Sequence, residues 1–424
     1  MLDLSVLQSL QLAAGGRALF PNIRNLSWPP DVFTGDESFP ALLAMLGSQL
    51  QQFSYTSVLS NLSLTLISDL PRWCPSLTDV SLTIGRSPRA IEAISTAVLG
   101  WSRLCSVSLG DITLDAFAHI AQLPTLKSLD LAPTSPQMIP SALPSPVFPS
   151  LARLRITADF NLELGIQLVK FMSPGSALSS ISITTRGFPD TRIDVSEWSE
   201  LLSAIQETCC TRSLQRLYIS DYHQPKLGIE APVASPGLQL HSDQLKCLFP
   251  FANLTELDLS TYHGFDLNDG LIQEMVIAWP KLQIFRLASA CKSPSDLMPP
   301  LTLSSLIPFA QYFRCLSLLA ITINAHVVLN TTTAIKISNH TLHTLDIGLS
   351  PITSVVVPQV AALLSDLFPN LTKILNHRRY FREDEQPPYE SSDKAWCMVE
   401  TLTKTFARVR EEEFRRVKAL VPEI

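Results

Sequence analysis

Apolar residues recur along the chain in one short pattern, a leucine followed three and five residues later by further apolar side chains. The segment FANLTELDL, residues 251–259, shows it clearly, because its leucines alternate with polar side chains such as Glu256 and Asp258. Thirteen copies begin between Ile23 and Leu371, so twelve intervals give a mean period of 29 residues. A fixed period of this length indicates a repeat array.

The alternation within each copy predicts one short strand. In extended chain, neighbouring side chains point to opposite faces, so the leucines face a core and the polar residues face out. Strands of successive repeats then pair as a parallel sheet, and the return path from strand to strand lies behind it. The predicted fold class is an α/β leucine-rich repeat solenoid, a horseshoe with the sheet on its concave face and helices on its convex face.

The first leucine or isoleucine of each copy is called its anchor. The predicted anchors are Ile23, Leu50, Leu77, Leu104, Leu126, Leu151, Leu178, Leu214, Leu254, Leu282, Leu318, Leu342 and Leu371. Between them, apolar residues spaced three and four apart predict helices. These helices cover residues 90–99, 114–123, 162–172, 197–209, 243–249, 267–278, 304–313 and 357–368.

The position three residues before the anchor, here called the slot, usually holds a large apolar side chain. Cys74 and Cys315 occupy the slots of their copies, so we expect both to be buried packing thiols. The chain has eight cysteines but no CxxC pair, and Cys209 and Cys210 are adjacent at a helix end. We therefore expect neither disulfides nor a zinc site.

The extent of the repeat pattern predicts that the chain has two parts. Residues 1–376 form the array of about thirteen repeats, and residues 377–424 form a linker and a capping helix. In that helix Trp396, Val399, Leu402, Phe406 and Val409 are spaced three or four apart. Three segments depart from the repeat pattern: 133–148 replaces a helix with an irregular crossing, 221–240 lengthens its copy to 40 residues, and 288–303 is rich in proline. We expect each to be a surface insertion and leave open whether the second contacts a ligand.

Composition limits the classes of function. Hydrophobic residues make up 46% of the chain and charged residues only 17%, with a net charge of −6, which favours neither nucleic acid nor an anionic membrane. The first residues lack the features of a secretion signal, and no apolar run of membrane-spanning length is present, so we expect an intracellular protein of cytoplasm or nucleus. No nucleotide, hydrolase or metalloprotease motif occurs, so we expect no enzyme, no cofactor and no metal.

The concave face carries the candidate binding residues. Its outward positions lie two and four residues after each anchor, and a basic and aromatic centre there is flanked by acids. The candidate residues for partner binding are Asp130, Arg153, Arg155, Arg216, Tyr218, Glu256, Asp258 and Arg286. The same pattern is equally compatible with charged side chains that are exposed to solvent, pair with one another and bind no partner. Alternatively, Arg153, Arg155 and Arg216 could hold a small anion.

The sequence resembles the leucine-rich repeat region of fungal F-box proteins of the kind found in mushroom-forming species. The similar segments are LFPNIRNLSWPPDVF, FANLTELDL, AWPKLQIFRL, LHTLDIGLSPI and LFPNLTKI with the tryptophan-containing helix behind it. The resemblance implies that an amino-terminal F-box binds the adaptor of a cullin-based ubiquitin ligase while the repeats hold the substrate. Residues 1–20 leave no room for the three helices of an F-box, so we expect that it lies upstream or is lacking.

The sequence therefore predicts a non-enzymatic scaffold that binds a protein substrate of unknown identity. We expect it to be the substrate-recognition part of an F-box-type ubiquitin ligase receptor, with the adaptor as a second partner only where an upstream F-box exists. The alternatives are a stand-alone repeat protein that binds or inhibits a partner, and a small-anion sensor on the concave face.

Overall fold

The computed structural model describes residues 9–10, 13, 19–28, 42, 45–57, 61–84, 87–134, 146–159, 161–185, 193–221, 239–261, 264–289, 299–326, 338–376 and 390–420. Most of the three predicted insertions and the predicted linker fall outside these residues, so what was predicted for them stays a prediction. The chain divides into two compact units. Unit 1 comprises Met1–Arg186 and Glu207–Cys210, and unit 2 comprises Gly187–Gln206 and Thr211–Ile424. The predicted boundary between residues 376 and 377 also stays a prediction.

Unit 1 contains a parallel sheet with one strand per repeat. Among its described residues, seven strands pair in chain order. Each strand overlaps one predicted core, and the alternating apolar residues of the second to seventh cores are buried, as the pattern requires. In the first core Trp28 is buried, whereas Leu26 is partly exposed. The strands are β1 (Asn25–Trp28), β2 (Gln52–Ser57), β3 (Asp79–Ile84), β4 (Ser106–Leu109), β5 (Ser128–Leu131), β6 (Arg153–Ala158) and β7 (Ser180–Thr185).

Unit 2 has the same construction, with one short parallel strand per repeat. Its described strands are β8 (Arg216–Ser220), β9 (Leu240–His241), β10 (Glu256–Thr261), β11 (Phe265–Asp266), β12 (Ile284–Ser289), β13 (Leu318–Ala320), β14 (Thr344–Asp346) and β15 (Lys373–Leu375). Strands β8, β10, β12, β13, β14 and β15 pair in parallel in that order. The short strands β9 and β11 pair only with each other in the described chain.

Helices return the chain between strands, and each of the eight predicted helices is confirmed with ends within three residues. Side chains at their amino ends stop fraying: Ser87, Thr113 and Asn268 each accept a hydrogen bond from the backbone N–H three residues later. The described helices are α1 (Asn61–Ser68), α2 (Leu70–Trp73), α3 (Pro88–Leu99), α4 (Leu114–Gln122), α5 (Glu163–Phe171), α6 (Val195–Thr208), α7 (Ser242–Lys246), α8 (Asp269–Ala278), α9 (Leu306–Tyr312), α10 (Val357–Leu367) and α11 (Glu390–Leu420). Short 3-10 turns precede α9 and α10 at Leu303–Ser305 and Ser354–Val356.

One predicted core is displaced by two residues. The pattern predicted Leu318 as the anchor of the eleventh copy, but Leu319 pairs with Phe285, which lies three residues after the anchor Leu282. The anchor of the eleventh copy is therefore Leu316, which is fully buried. The segments LSLLAI and LLAITI both fit the leucine pattern, and the pairing with β12 selects the first.

The prediction that Cys315 is a packing thiol is wrong for the same reason. Three residues before Leu316 stands Phe313, which is fully buried, whereas Cys315 is exposed. Cys74 does fill its predicted slot and is buried, and burial raises the pKa of its thiol to about 11. All seven cysteines among the described residues are free thiols.

A hydroxyl directly after the anchor ties several repeats to the preceding one. Thr255 Oγ1 donates to the carbonyl of Gln215 at 3.1 Å, and Ser317 Oγ donates to the carbonyl of Gln283 at 2.9 Å. Each acceptor is the residue that follows the anchor of the preceding copy, and it also accepts two backbone N–H groups of the next repeat. The same hydroxyl bond is made by Thr78, Ser179 and Thr372.

The slot also links repeats through side-chain amides and indoles. Trp101 Nε1 donates to the carbonyl of Cys74, the preceding slot, at 3.1 Å. Asn339 holds the equivalent position in a later copy, and its Nδ2 donates to the carbonyl of Phe313 at 2.5 Å. Asn339 Oδ1 accepts from the backbone N–H groups of Thr341 and Leu342, so this buried amide is satisfied on both sides.

Unit 2 also contains a buried carboxylate at the end of β8. Asp221 is fully buried, and its Oδ2 accepts hydrogen bonds from Trp198 Nε1 at 2.9 Å and from Thr261 Oγ1 at 3.2 Å. The indole belongs to α6 and the hydroxyl to β10. The carboxylate thus connects a helix to two neighbouring strands at the point where the second predicted insertion begins.

The last helix packs against the final repeat. Trp396 and Val399 on α11 are buried, as their spacing predicted, and Trp396 Nε1 donates to the carbonyl of Ser350 at 2.9 Å. Glu400 Oε2 accepts from the backbone N–H of Ile374 at 3.1 Å, which satisfies a donor of the last described strand. The predicted stripe ends earlier than expected, because Val409 is exposed.

Candidate functional site

The open face is defined here, for each unit separately, as the sheet surface formed by the side chains two and four residues after each anchor. In β6, Arg153 and Arg155 are exposed on this face, whereas Leu154 and Ile156 between and beyond them are buried. Because the open-face residues do not fill the core, core packing does not determine which residue types occur there. The eight predicted site residues all lie on open faces, three in unit 1 and five in unit 2.

In unit 1 the structure brings together Asp130, Arg153 and Arg155. Asp130 and Arg155 are register partners on β5 and β6, and Arg155 Nη1 lies 3.8 Å from Asp130 Oδ2. The Arg155 side chain is 67% exposed, and an exposed ion pair of this kind contributes about 0–1 kcal/mol. The guanidinium is therefore weakly held and open to another partner.

The neighbouring strands of unit 1 carry a row of serines that the sequence-based site did not include. Four of these serines are register partners in successive strands: Ser27, Ser54, Ser81 and Ser108. Further open-face serines lie on β4, β5 and β7, at Ser106, Ser128, Ser180 and Ser182. The two arginines of β6 thus project from a surface of short hydroxyl side chains. The position rule of two and four residues after the anchor would have found the row if it had been applied to the first four copies.

In unit 2 the first part of the open face combines an aromatic with opposite charges. Arg216 and Glu256 are register partners on β8 and β10, and Tyr218 is the partner of Asp258. Arg216 is exposed, and the Tyr218 side chain remains accessible at 37% exposure. Arginine and tyrosine are the side chains that most often carry binding energy in protein interfaces.

Asp258 and Arg286 form the better-buried ion pair. Arg286 Nη1 lies 3.5 Å from Asp258 Oδ2, and the two side chains are only 29% and 15% exposed. Burial raises the pKa of the Asp258 carboxyl above its usual value, opposed by the positive charge of Arg286 and by a hydrogen bond from Ser260. The negative charge of Asp346 raises the pKa of Asp258 further.

Asp346 is a functional candidate that sequence reasoning missed. It lies four residues after the anchor Leu342 on β14 and is buried, and its Oδ1 accepts from the backbone N–H of Gly348 at 3.1 Å. In the register, Ala320 stands between Arg286 and Asp346. Its small side chain leaves one arginine between two acids on this face.

The corrected register also brings an apolar pair onto the open face of unit 2. Ile284 and Leu318 are register partners on β12 and β13, and both are partly exposed. Leu318 was predicted to be an inward anchor, so it was not among the predicted open-face residues. The pair offers apolar contact area beside the charged residues, as the centre of a protein interface requires.

The described residues contain no group of three histidine, cysteine, aspartate or glutamate side chains placed to hold a metal ion. His340 and His343 make ordinary contacts, with Ser338 Oγ and with the carbonyl of Asn370. Among the helices in the described ranges, none combines the length and hydropathy needed to cross a membrane.

One short parallel strand per repeat, inward leucines and outward polar residues define an α/β leucine-rich repeat solenoid. Neither a protein-family model nor a curated protein matches the chain.

Among solved structures, the chain is similar to a chain from the Rad7 and Elc1 complex in yeast, with 15% identity, a TM-score of 0.39, and coverage of 92% of this chain and 93% of that one. It is also similar to the leucine-rich repeat-containing protein LegL7 from Legionella pneumophila, with 13% identity, a TM-score of 0.36, and coverage of 90% and 97%.

Proposed function

We propose that the chain is a non-enzymatic scaffold that binds another protein through the open faces of its sheet. The observation that carries this proposal is the set of exposed polar and aromatic side chains that lie in register on the open faces while the core is filled from the other side. A sheet face with arginine, tyrosine and apolar side chains has the composition of a protein interface. The proposed contact residues are Asp130, Arg153 and Arg155 on unit 1, and Arg216, Tyr218, Glu256, Asp258 and Arg286 on unit 2.

Site-specific photo-cross-linking tests this proposal. We would place a benzophenone side chain at Tyr218 on the open face of unit 2, and at Ile277 on α8 as a matched control. Both positions carry exposed large apolar or aromatic side chains, at 37% and 68% exposure, so the probe is accessible in both. We expect a discrete cross-linked partner from position 218 that is absent from position 277, and that is lost with Arg216→Ala.

The opposite pattern would refute the proposal. A partner captured from position 277 and not from position 218 would place the binding surface on the helices. Equal capture from both positions would indicate contact without a defined face.

We further propose that the bound partner is the substrate of a cullin-based ubiquitin ligase and that the chain is the substrate-recognition part of an F-box-type receptor. Support comes from the resemblance of the repeat segments to fungal F-box proteins. In this role the protein does no chemistry itself and contributes by holding the substrate near the ubiquitin-transfer centre.

Mapping the 5′ end of the native transcript tests the ligase role. If the frame extends upstream of Met1 and encodes a helical adaptor-binding segment, the extended protein should co-purify with the ligase adaptor while residues 1–424 alone should not. A closed frame would contradict the ligase role and leave a stand-alone repeat scaffold.

A further inference from the structure

The most distinctive charged feature of unit 1 is the arginine pair of β6. Arg153 stands in register between Ser128 and Ser180, and Arg155 stands between Asp130 and Ser182. Both arginines are exposed, while these four neighbours are only partly exposed. Because serine is short, the two guanidinium groups extend above the hydroxyls of Ser128, Ser180 and Ser182, with the carboxylate of Asp130 beside Arg155.

The spacing of the two arginines suits one kind of ligand geometry. Residues two apart on one strand point to the same face and are separated by roughly 6.5–7 Å. Acidic residues two apart in an extended peptide have the same separation. Such a peptide lying along β6 could place one carboxylate at each guanidinium, which binds carboxylates through paired N–H groups. The flanking hydroxyls can donate further hydrogen bonds.

The surrounding charges favour a peptide over a nucleic acid. The chain has a net charge of −6, and Asp79 and Asp130 lie on the same open face as the arginines. Nucleic-acid binding depends on several phosphate contacts, whereas Arg153 and Arg155 are the only basic residues at the described open-face positions of unit 1. A short acidic segment needs no more than these two.

We propose that the open face of unit 1, over β4 to β7, binds an extended acidic segment of a protein partner in which two carboxylates are separated by one residue. Arg153 and Arg155 each bind one carboxylate, and Asp130 limits affinity by competing for Arg155. This proposal rests on the proposed protein-binding function and specifies the partner for one of its two faces.

Fluorescence anisotropy with three labelled peptides tests it at low ionic strength, where exposed charges are least screened. One peptide carries glutamates at alternate positions, the second has the same composition with the glutamates adjacent, and the third has lysines in place of glutamates. We expect the alternating peptide to bind most tightly and the lysine peptide not to bind. Arg153→Ser with Arg155→Ser should weaken binding about tenfold, since each exposed pair contributes a few-fold.

Two further variants sharpen the test. Arg72→Ser with Arg89→Ser removes the same charge from α2 and α3 of the same unit, at exposed positions, and should leave binding unchanged. Asp130→Asn removes the competing carboxylate and should strengthen binding about two- to threefold.

The proposal would be overturned if the alternating peptide did not bind, or if the two glutamate peptides bound equally well. It would also be overturned if Arg72→Ser with Arg89→Ser weakened binding as much as Arg153→Ser with Arg155→Ser. The fourth contradicting result is displacement of the peptide by inorganic phosphate or an oligonucleotide at a lower concentration than by unlabelled peptide. These results would leave the broader proposed function standing if cross-linking from Tyr218 still captured a partner, because that experiment reads unit 2.

Discussion

The buried carboxylate of Asp221 should make Trp198 more important to stability than its burial alone explains. Trp198→Phe keeps an aromatic ring in α6 but removes the indole N–H that donates to Asp221 Oδ2 at 2.9 Å. A hydrogen bond to a charged group contributes about 1.5–3 kcal/mol, because the carboxylate is otherwise left under-solvated in the core. The lost ring volume adds a further term that any Trp→Phe change in a core shares.

Trp279 supplies the matched control within unit 2. It is fully buried, like Trp198, and its Nε1 donates to the carbonyl of Leu248 at 3.0 Å. A neutral hydrogen bond of this kind contributes about 0.5–1.5 kcal/mol. We therefore expect Trp198→Phe to lower the free energy of unfolding by about 1–1.5 kcal/mol more than Trp279→Phe, roughly tenfold in the unfolding equilibrium constant.

Urea unfolding followed by circular dichroism measures both costs, and a double-mutant cycle assigns the difference. In an Asp221→Asn background the charge is gone, so the cost of Trp198→Phe should fall to that of Trp279→Phe. The reasoning is refuted if the two tryptophan variants are equally destabilised in the wild-type background, or if Asp221→Asn leaves the difference unchanged.

Three further predictions follow from single sites. As pH rises from 3.8 through the raised pKa of Asp258, the wild-type protein should lose stability relative to Asp258→Asn, because its folded state holds the Asp258 proton more tightly than the unfolded chain does. Urea unfolding midpoints of the two proteins across this pH range measure the difference, and a gain in the relative stability of wild type would contradict the prediction. Asn339→Leu restores an apolar slot but should cost about 2–4 kcal/mol, because the carbonyl of Phe313 and two backbone N–H groups lose their partner; a neutral result in thermal unfolding would contradict this. Cys315 should react with a thiol reagent at neutral pH in the folded protein, whereas Cys74, buried and with a thiol pKa of about 11, should react only after unfolding; mass spectrometry of labelled peptides distinguishes them.

The leucine pattern was sufficient to predict the fold class and a strand in every copy, because inward residues at fixed spacing are what a parallel repeat sheet demands. It could not resolve Leu316 from Leu318, since both begin an acceptable core and only pairing with β12 separates them. It also missed α1, where Leu62, Leu64 and Leu66 alternate as they would in a strand.

The candidate site was predictable in its positions but not in its interactions. Strand alternation placed Asp130 and Arg155, and Asp258 and Arg286, on the open faces. The register between strands and the depth of burial determine which of these residues form ion pairs. The sequence of a single repeat contains neither the register nor the burial depth. Asp346 lies two strands away from Arg286, so its effect on Asp258 became visible only in the folded structure.

The hydroxyl that follows the anchor has a consequence for how such a chain evolves. Thr255 and Ser317 donate to a main-chain carbonyl of the preceding repeat, a group that every residue type supplies. A repeat that carries this hydroxyl therefore needs no matching side chain in its predecessor. Gene duplication can insert or exchange such a repeat without a compensating mutation at the junction, and the recognition residues of the new repeat are then free to diverge.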